Sequence, residues 1–172
     1  MHEIELKALL TKEQYDNLIS KFNSELEKIN EESLHTIAFI PQDIRIRYSE
    51  KRRELIYKDK ECTNIKRKEI IVNLENEEDI SKLRDIFLSL NLEEVPPWVT
   101  HRNEYYYNFN NEVYTLCLQH TEKFAYILEV EIMAENHEIH EDNIKEIISS
   151  FGLTPVNNEE FKEKIQEYIR DN

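Results

Sequence analysis

The sequence predicts an α+β domain built on antiparallel strands whose ionised side chains gather on one face. Three observations predict it. Strand-like runs step in twos, with Glu3, Glu5 and Lys7 opposed to Ile4 and Leu6, and with strict alternation over Asp43–Tyr48. Segments of helical period stand between and after these runs, the first marked by Tyr15, Leu18, Ile19 and Phe22. Charge is also sorted by strand: acidic pairs lie near the two ends of the chain and basic pairs between them.

The first strand covers 2–10. Thr11 followed by Gln14 has capping-box spacing, so a helix is expected over about 11–23. Residues 33–40 form a β-prone run. Asp43–Tyr48, a polar turn over Ser49–Glu54 and then Leu55–Lys60 read as a hairpin. A further strand is expected from Lys66 to Leu74, and a helix on Ile80, Leu83, Phe87 and Leu90. Pro96-Pro97 ends that segment before strands at Trp98–Tyr107, Glu112–Gln119 and Ala125–Met133. Ile144, Ile147, Ile148 and Phe151 predict a helix capped by Gly152, and a last helix follows on Phe161, Ile165, Tyr168 and Ile169. With a single glycine in the chain, turns must rely on Asn, Asp and Lys.

Composition bounds the function. At 172 residues with nothing resembling a linker, one domain over 1–172 is expected. Hydrophobic residues at 40% can supply a core, while 34% charged residues must ionise a surface or an interior. The net charge of -14 argues against extended nucleic acid or an anionic membrane as partner, because both need a broad positive field. Cys62 and Cys117 have no metal-finger spacing, no leader precedes the first strand, and no apolar run approaches a membrane span. A soluble, cytoplasmic protein is expected.

Glu3/Glu5/Lys7, Arg45/Arg47, Lys58/Lys60, Arg67/Glu69 and Glu129/Glu131 all take the two-residue step. A sheet with one face in water shows the same pattern. The sorting of opposite charges by strand fits better with a curled sheet whose charged face turns inward. Paired carboxylates suit Mg²⁺ or Mn²⁺, and rows of Arg and Lys suit phosphate oxygens. His35, His101 and His120 lack helical ligand spacing, and a hard-metal site does not require imidazole. Cys117 reads as a buried packing residue, and Tyr105, Tyr106 and Tyr107 as strand packing.

The order of these motifs resembles the CYTH superfamily of triphosphate tunnel metalloenzymes. His2-Glu3-Ile4-Glu5-Leu6-Lys7 resembles its Glu-x-Glu-x-Lys signature, Asp43-Ile44-Arg45-Ile46-Arg47 its arginine strand, Leu55–Lys58 its lysine strand, and Leu128-Glu129-Val130-Glu131 its closing Glu-x-Glu strand. The resemblance implies a closed eight-stranded antiparallel β-barrel with helices outside, and a Mg²⁺- or Mn²⁺-dependent reaction on a small molecule ending in a triphosphate. It implies that Glu3, Glu5, Glu129 and Glu131 surround the metal and that Lys7, Arg45, Arg47, Lys58, Arg102 and, more weakly, Arg67 hold phosphate. Glu5 and Lys7 are the residues expected to act at the reacting group.

The sequence departs from the family pattern at Leu34–Ile40, at Thr100-His101-Arg102, at Gln119 where an acid is common, and near Phe124 where a glycine is usual. The leading expectation is hydrolysis of the terminal phosphate of inorganic, nucleoside or thiamine triphosphate. Because the sequence opens on the signature strand, hydrolysis is preferred to the alternative, a class IV-like adenylyl cyclase. A binding module that does not turn the triphosphate over is the third reading, and a homodimer is compatible with all three.

Overall fold

The computed structural model of the chain describes residues 2–58, 66, 67, 69–135 and 137–171. Strand β1 (His2–Leu10) leads into helix α1 (Lys12–Glu25), then β2 (Glu27–Ile40), β3 (Asp43–Tyr48), β4 (Arg53–Lys58), β5 (Lys66–Arg67) and β6 (Glu69–Asn73). Helix α2 (Glu77–Ser89) and the short β7 (Glu93–Glu94) precede three long strands, β8 (Trp98–Phe109), β9 (Glu112–Thr121) and β10 (Ala125–Ala134). Helices α3 (His137–Ser150) and α4 (Asn158–Asp171) complete the chain.

The expected local signals act where the sequence places them. Thr11 Oγ1 accepts from the Gln14 N–H at 3.1 Å while Gln14 Oε1 accepts from the Thr11 N–H at 2.8 Å, fixing the start of α1. Gly152, with φ +72°, ends α3, and Asn110, Asn111 and Lys123 supply the positive-φ turns between the long strands. Strand β2 begins six residues earlier than its apolar alternation suggests. Its polar start is carried by pairing with β8, Glu27 opposite Tyr106 and Lys28 opposite Tyr105, with a bulge between Lys28 and Asn30.

The strands form one antiparallel sheet in the order β5-β1-β10-β9-β8-β2-β3-β4-β6, with β7 on β2. The sheet curls into an open half-barrel. The single run expected over 66–74 is two strands, since β5 pairs with β1 and β6 with β4 at opposite ends of that order. Among the described residues no strand pairing joins those two ends, so the expected closed eight-stranded barrel is matched only in its antiparallel curl and its outer helices.

The cores lie on the outside of the curl. Ile4, Tyr105, Leu116, Leu118, Leu128 and Val130 pack outward against Leu18 and Phe22 of α1 and Ile144, Ile147 and Ile148 of α3. A second cluster joins Phe39 and Ile46 to Phe87, with Ile80 and Leu83 of α2 beside them. Because successive strand residues face opposite ways, residues next in sequence to these apolar anchors are turned to the inner face. Helix α4 rests on the β9–β10 turn through Phe161 and Tyr168 against Phe124.

Phe22 is 1% exposed and packs edge-on to both Tyr105 and Phe151. Phe22→Ala is expected to cost about 3–5 kcal/mol of stability, measured by urea denaturation.

Candidate metal and phosphate site

Strand register places the predicted site residues on one face. Lys7 stands opposite Glu129 and Glu5 opposite Glu131 across β1 and β10. Arg102 stands opposite Gln119 on one side and Glu32 on the other, Arg47 opposite Thr36, Arg45 opposite Ala38, and Lys58 opposite Asp43. Directly opposed residues project to the same side of a sheet, so these side chains share the concave face while Ile4, Ile46, Leu128 and Val130 occupy the other. The Arg67 backbone pairs with Glu3, but its side chain lies outside the described residues, as do Lys60 and Cys62.

Glu3, Glu5 and Glu131 each bring one carboxylate oxygen within 4.8 Å of the others. Three hard oxygen donors on one face, drawn from two adjacent strands, fit a divalent cation such as Mg²⁺ or Mn²⁺ that fills its remaining positions with water and phosphate. Glu129 is engaged differently. Its Oε2 lies 2.6 Å from Lys7 Nζ and its Oε1 3.7 Å from Arg102 Nη2, while Lys7 also reaches Glu5 at 2.8 Å. Of the four carboxylates expected around a metal, three converge and the fourth is held by cations.

Other cations of this face also meet carboxylates. Lys58 Nζ is 3.9 Å from Glu3. Arg102 bonds Glu104 at 3.0 Å, and Arg45 makes a two-pronged contact to Asp43 at 2.7 and 3.0 Å. Such forks match phosphate oxygens as well as carboxylates.

Burial and these partners set the ionisation. Burial raises the Glu131 carboxyl, and the Glu129 and Glu3 charges beside it push it further, up to about 8. Burial acts on Glu129 in the same sense, but Lys7 and Arg102 outweigh it and hold Glu129 well below the usual carboxylate range. Burial disfavours the Lys7 ammonium, yet Glu129 and Glu5 keep it above its ordinary value. Cys117, on the same face, is pushed well up by burial and stands there as a neutral thiol.

Sequence reasoning missed a second polar cluster on this face. Arg52 bonds Glu32 and lies 3.4 Å from Glu54, and Ser49 and Asn30 donate to Glu32 at 3.0 and 3.1 Å. The signal was the phase of Glu32, two residues before Leu34 and four before Thr36, legible only with β2 drawn back to Glu27. His35, His101 and His120 lie on the opposite face. His35 stacks on Tyr48, His101 is hydrogen-bonded with Ser33 at 2.8 Å, and His120 stacks on Tyr126. Tyr105 is a core residue whose hydroxyl donates to Asn23.

Removing Lys7 leaves Glu129 and Glu5 without their shared cation. Lys7→Ala is expected to destabilise the protein by about 3 kcal/mol, and adding Glu129→Gln should restore part of that loss, as read by a double-mutant denaturation cycle.

Comparison with known proteins matches residues 1–160 to the CYTH domain model. No curated protein matches the chain. Among solved structures, the PH1819 protein of Pyrococcus horikoshii is 22% identical, with TM-score 0.72 over 96% of this chain and 99% of its own. A Bacillus halodurans protein proposed as an adenylate cyclase is 20% identical, with TM-score 0.63 over 91% and 92%. HpAC1 of Hippeastrum, an adenylyl cyclase by name with a dominant triphosphatase activity, is 14% identical, with TM-score 0.65 over 97% and 96%. At these identities the likenesses speak to the fold. No helix among the described residues is long and apolar enough to cross a membrane.

Proposed function

The chain belongs to the CYTH domain family, and from that membership we propose that it is a divalent-metal-dependent triphosphatase, hydrolysing the terminal phosphate of inorganic triphosphate or of a nucleoside or thiamine triphosphate. The observation that carries the proposal is the convergence of Glu3, Glu5 and Glu131 on a face that also bears Lys7, Arg45, Arg47, Lys58 and Arg102. A carboxylate trio without cations would be a poor host for a triphosphate, and a cationic face without carboxylates would not gather a metal.

Glu3, Glu5 and Glu131 would hold Mg²⁺ or Mn²⁺, which when bound draws negative charge from the phosphate oxygens. Arg45, Arg47, Lys58 and Arg102, with Arg67 as the weaker member, grip the phosphate chain and fix its line of approach. Lys7, held cationic by Glu129 and Glu5, stabilises the charge that builds on the transferring phosphoryl group. Glu129 keeps Lys7 in place and completes the acidic side of the site. Glu5 accepts a hydrogen bond from the attacking water and takes its proton as the new P–O bond forms. The bond to the leaving diphosphate breaks in the same displacement.

Closure of the half-barrel belongs to the same proposal. Strand β5 on β1 and strand β6 on β4 are separated in sequence by residue 68 alone. That short step supports a closed eight-stranded tunnel in which β5 and β6 bring the two ends of the sheet together. The reading takes 1–172 as one domain and the cytoplasm as its compartment, where a free buried thiol such as Cys117 stays reduced.

Purified protein incubated with tripolyphosphate, ATP, GTP or thiamine triphosphate and Mg²⁺ or Mn²⁺ should release orthophosphate, and EDTA should stop the release. Cyclic AMP with pyrophosphate from ATP would replace hydrolysis by cyclisation, and binding without product would make the protein a triphosphate-binding module. Glu131→Gln should stay folded and lose at least the roughly 10- to 100-fold that weaker disturbances of metal sites typically cost; full activity with an unchanged Mn²⁺ requirement would move the metal elsewhere.

A further inference from the structure

Gln119 has no part in the mechanism just derived, yet its side chain poses a problem. The residue is 9% exposed, and its Nε2 is buried with no hydrogen-bond partner in the protein. A buried amide donor left unsatisfied costs stability, so the position calls for an acceptor. Register puts Gln119 on the concave face, between Arg102 of β8 and Ile127 of β10.

The neighbours decide which acceptor. Thr100 and Thr121, on either side of the next row, bond each other at 2.8 Å, and Cys117 is a neutral thiol. Glu129 and Glu104 are already held by Lys7 and Arg102. An acceptor brought beside both the Arg102 guanidinium and an amide N–H is best an anionic oxygen, and an –NH₂ group cannot ligate a cation. Past Gln119 the same face carries Thr100, Thr121, Leu34 and Thr36, all buried, with Arg47 of β3 opposite Thr36. On β8, β9 and β2 the charged residues thus give way past Gln119 to neutral ones, while Arg47 and Arg45 continue the charge on β3.

We propose that Gln119 is a substrate-binding residue whose Nε2–H donates to a phosphate oxygen of the bound triphosphate, beside Arg102. This rests on the triphosphate reading above and adds to it a neutral donor that shares the phosphate chain with Arg102.

The test is calorimetric titration of the full chain with the hydrolysis-resistant imido analogue of tripolyphosphate in Mg²⁺, alongside Mn²⁺ binding and thermal melting. Gln119→Leu should weaken the analogue by roughly 10- to 100-fold, the effect of losing a hydrogen bond to a charged group. Mn²⁺ affinity should be unchanged, and the melting temperature should not fall, because an orphaned amide has been removed. Gln119→Glu, of the same shape but negative, should weaken binding further. Should Gln119→Leu not fold, Gln119→Met carries the same test. Analogue binding by these apolar variants within twofold of the parent would overturn the proposal while leaving the triphosphate reading intact. No binding by the parent protein would remove both.

Discussion

A strongly curled sheet offers its apolar side chains two places to pack, inside the curl or outside it, and alternation along the strands ties the two choices together. In this chain Ile4, Leu128 and Val130 pack outward on α1 and α3, and Phe39 and Ile46 pack outward on α2. Each helix that covers the convex side thus commits the intervening Glu, Lys and Arg residues to the concave side. The outer core positions the site without touching it. A slip of one residue in any of these pairings would exchange core and site together.

Gathering so much charge in one hollow would be costly if each group stood alone. The chain meets this with ion pairs along and across the strands: Lys7 between Glu5 and Glu129, Arg102 between Glu104 and Glu129, Arg45 on Asp43, and Arg52 between Glu32 and Glu54. The Glu3, Glu5 and Glu131 group is the place where the compensation is least complete, and Glu131 shows it by a carboxyl pushed up to about 8. That imbalance is what suits this corner of the face to a cation, as the proposed function requires, in place of another ion pair. It also separates Glu129, whose cations hold it ionised, from the three carboxylates that converge.

The long strands and the helices were legible because their apolar residues keep a strict period, and the phases of Glu3, Arg45, Lys58 and Glu131 followed from the same counting. Polar β2 before Ser33 was not, since without apolar alternation only its pairing with β8 makes it a strand, and Glu32 was lost with it. The division of labour between Glu129 and Glu131, two residues apart and alike in sequence, depends on which cations face them across the sheet. Spacing carries no such information. Gln119 stood out in the sequence only as a departure from a family pattern, and its orphaned amide becomes visible only when its neighbours have all found partners.

In the proposed function the concave face binds a metal and a triphosphate together. A crystal structure of the protein grown with Mn²⁺ and the imido analogue of tripolyphosphate tests it most directly. Anomalous density for Mn²⁺ is expected among Glu3, Glu5 and Glu131, with phosphate density against Arg45, Arg47 and Arg102. Manganese or phosphate ordered only on the convex side, among His35, His101 and Tyr48, with the concave face occupied by neither, would contradict it.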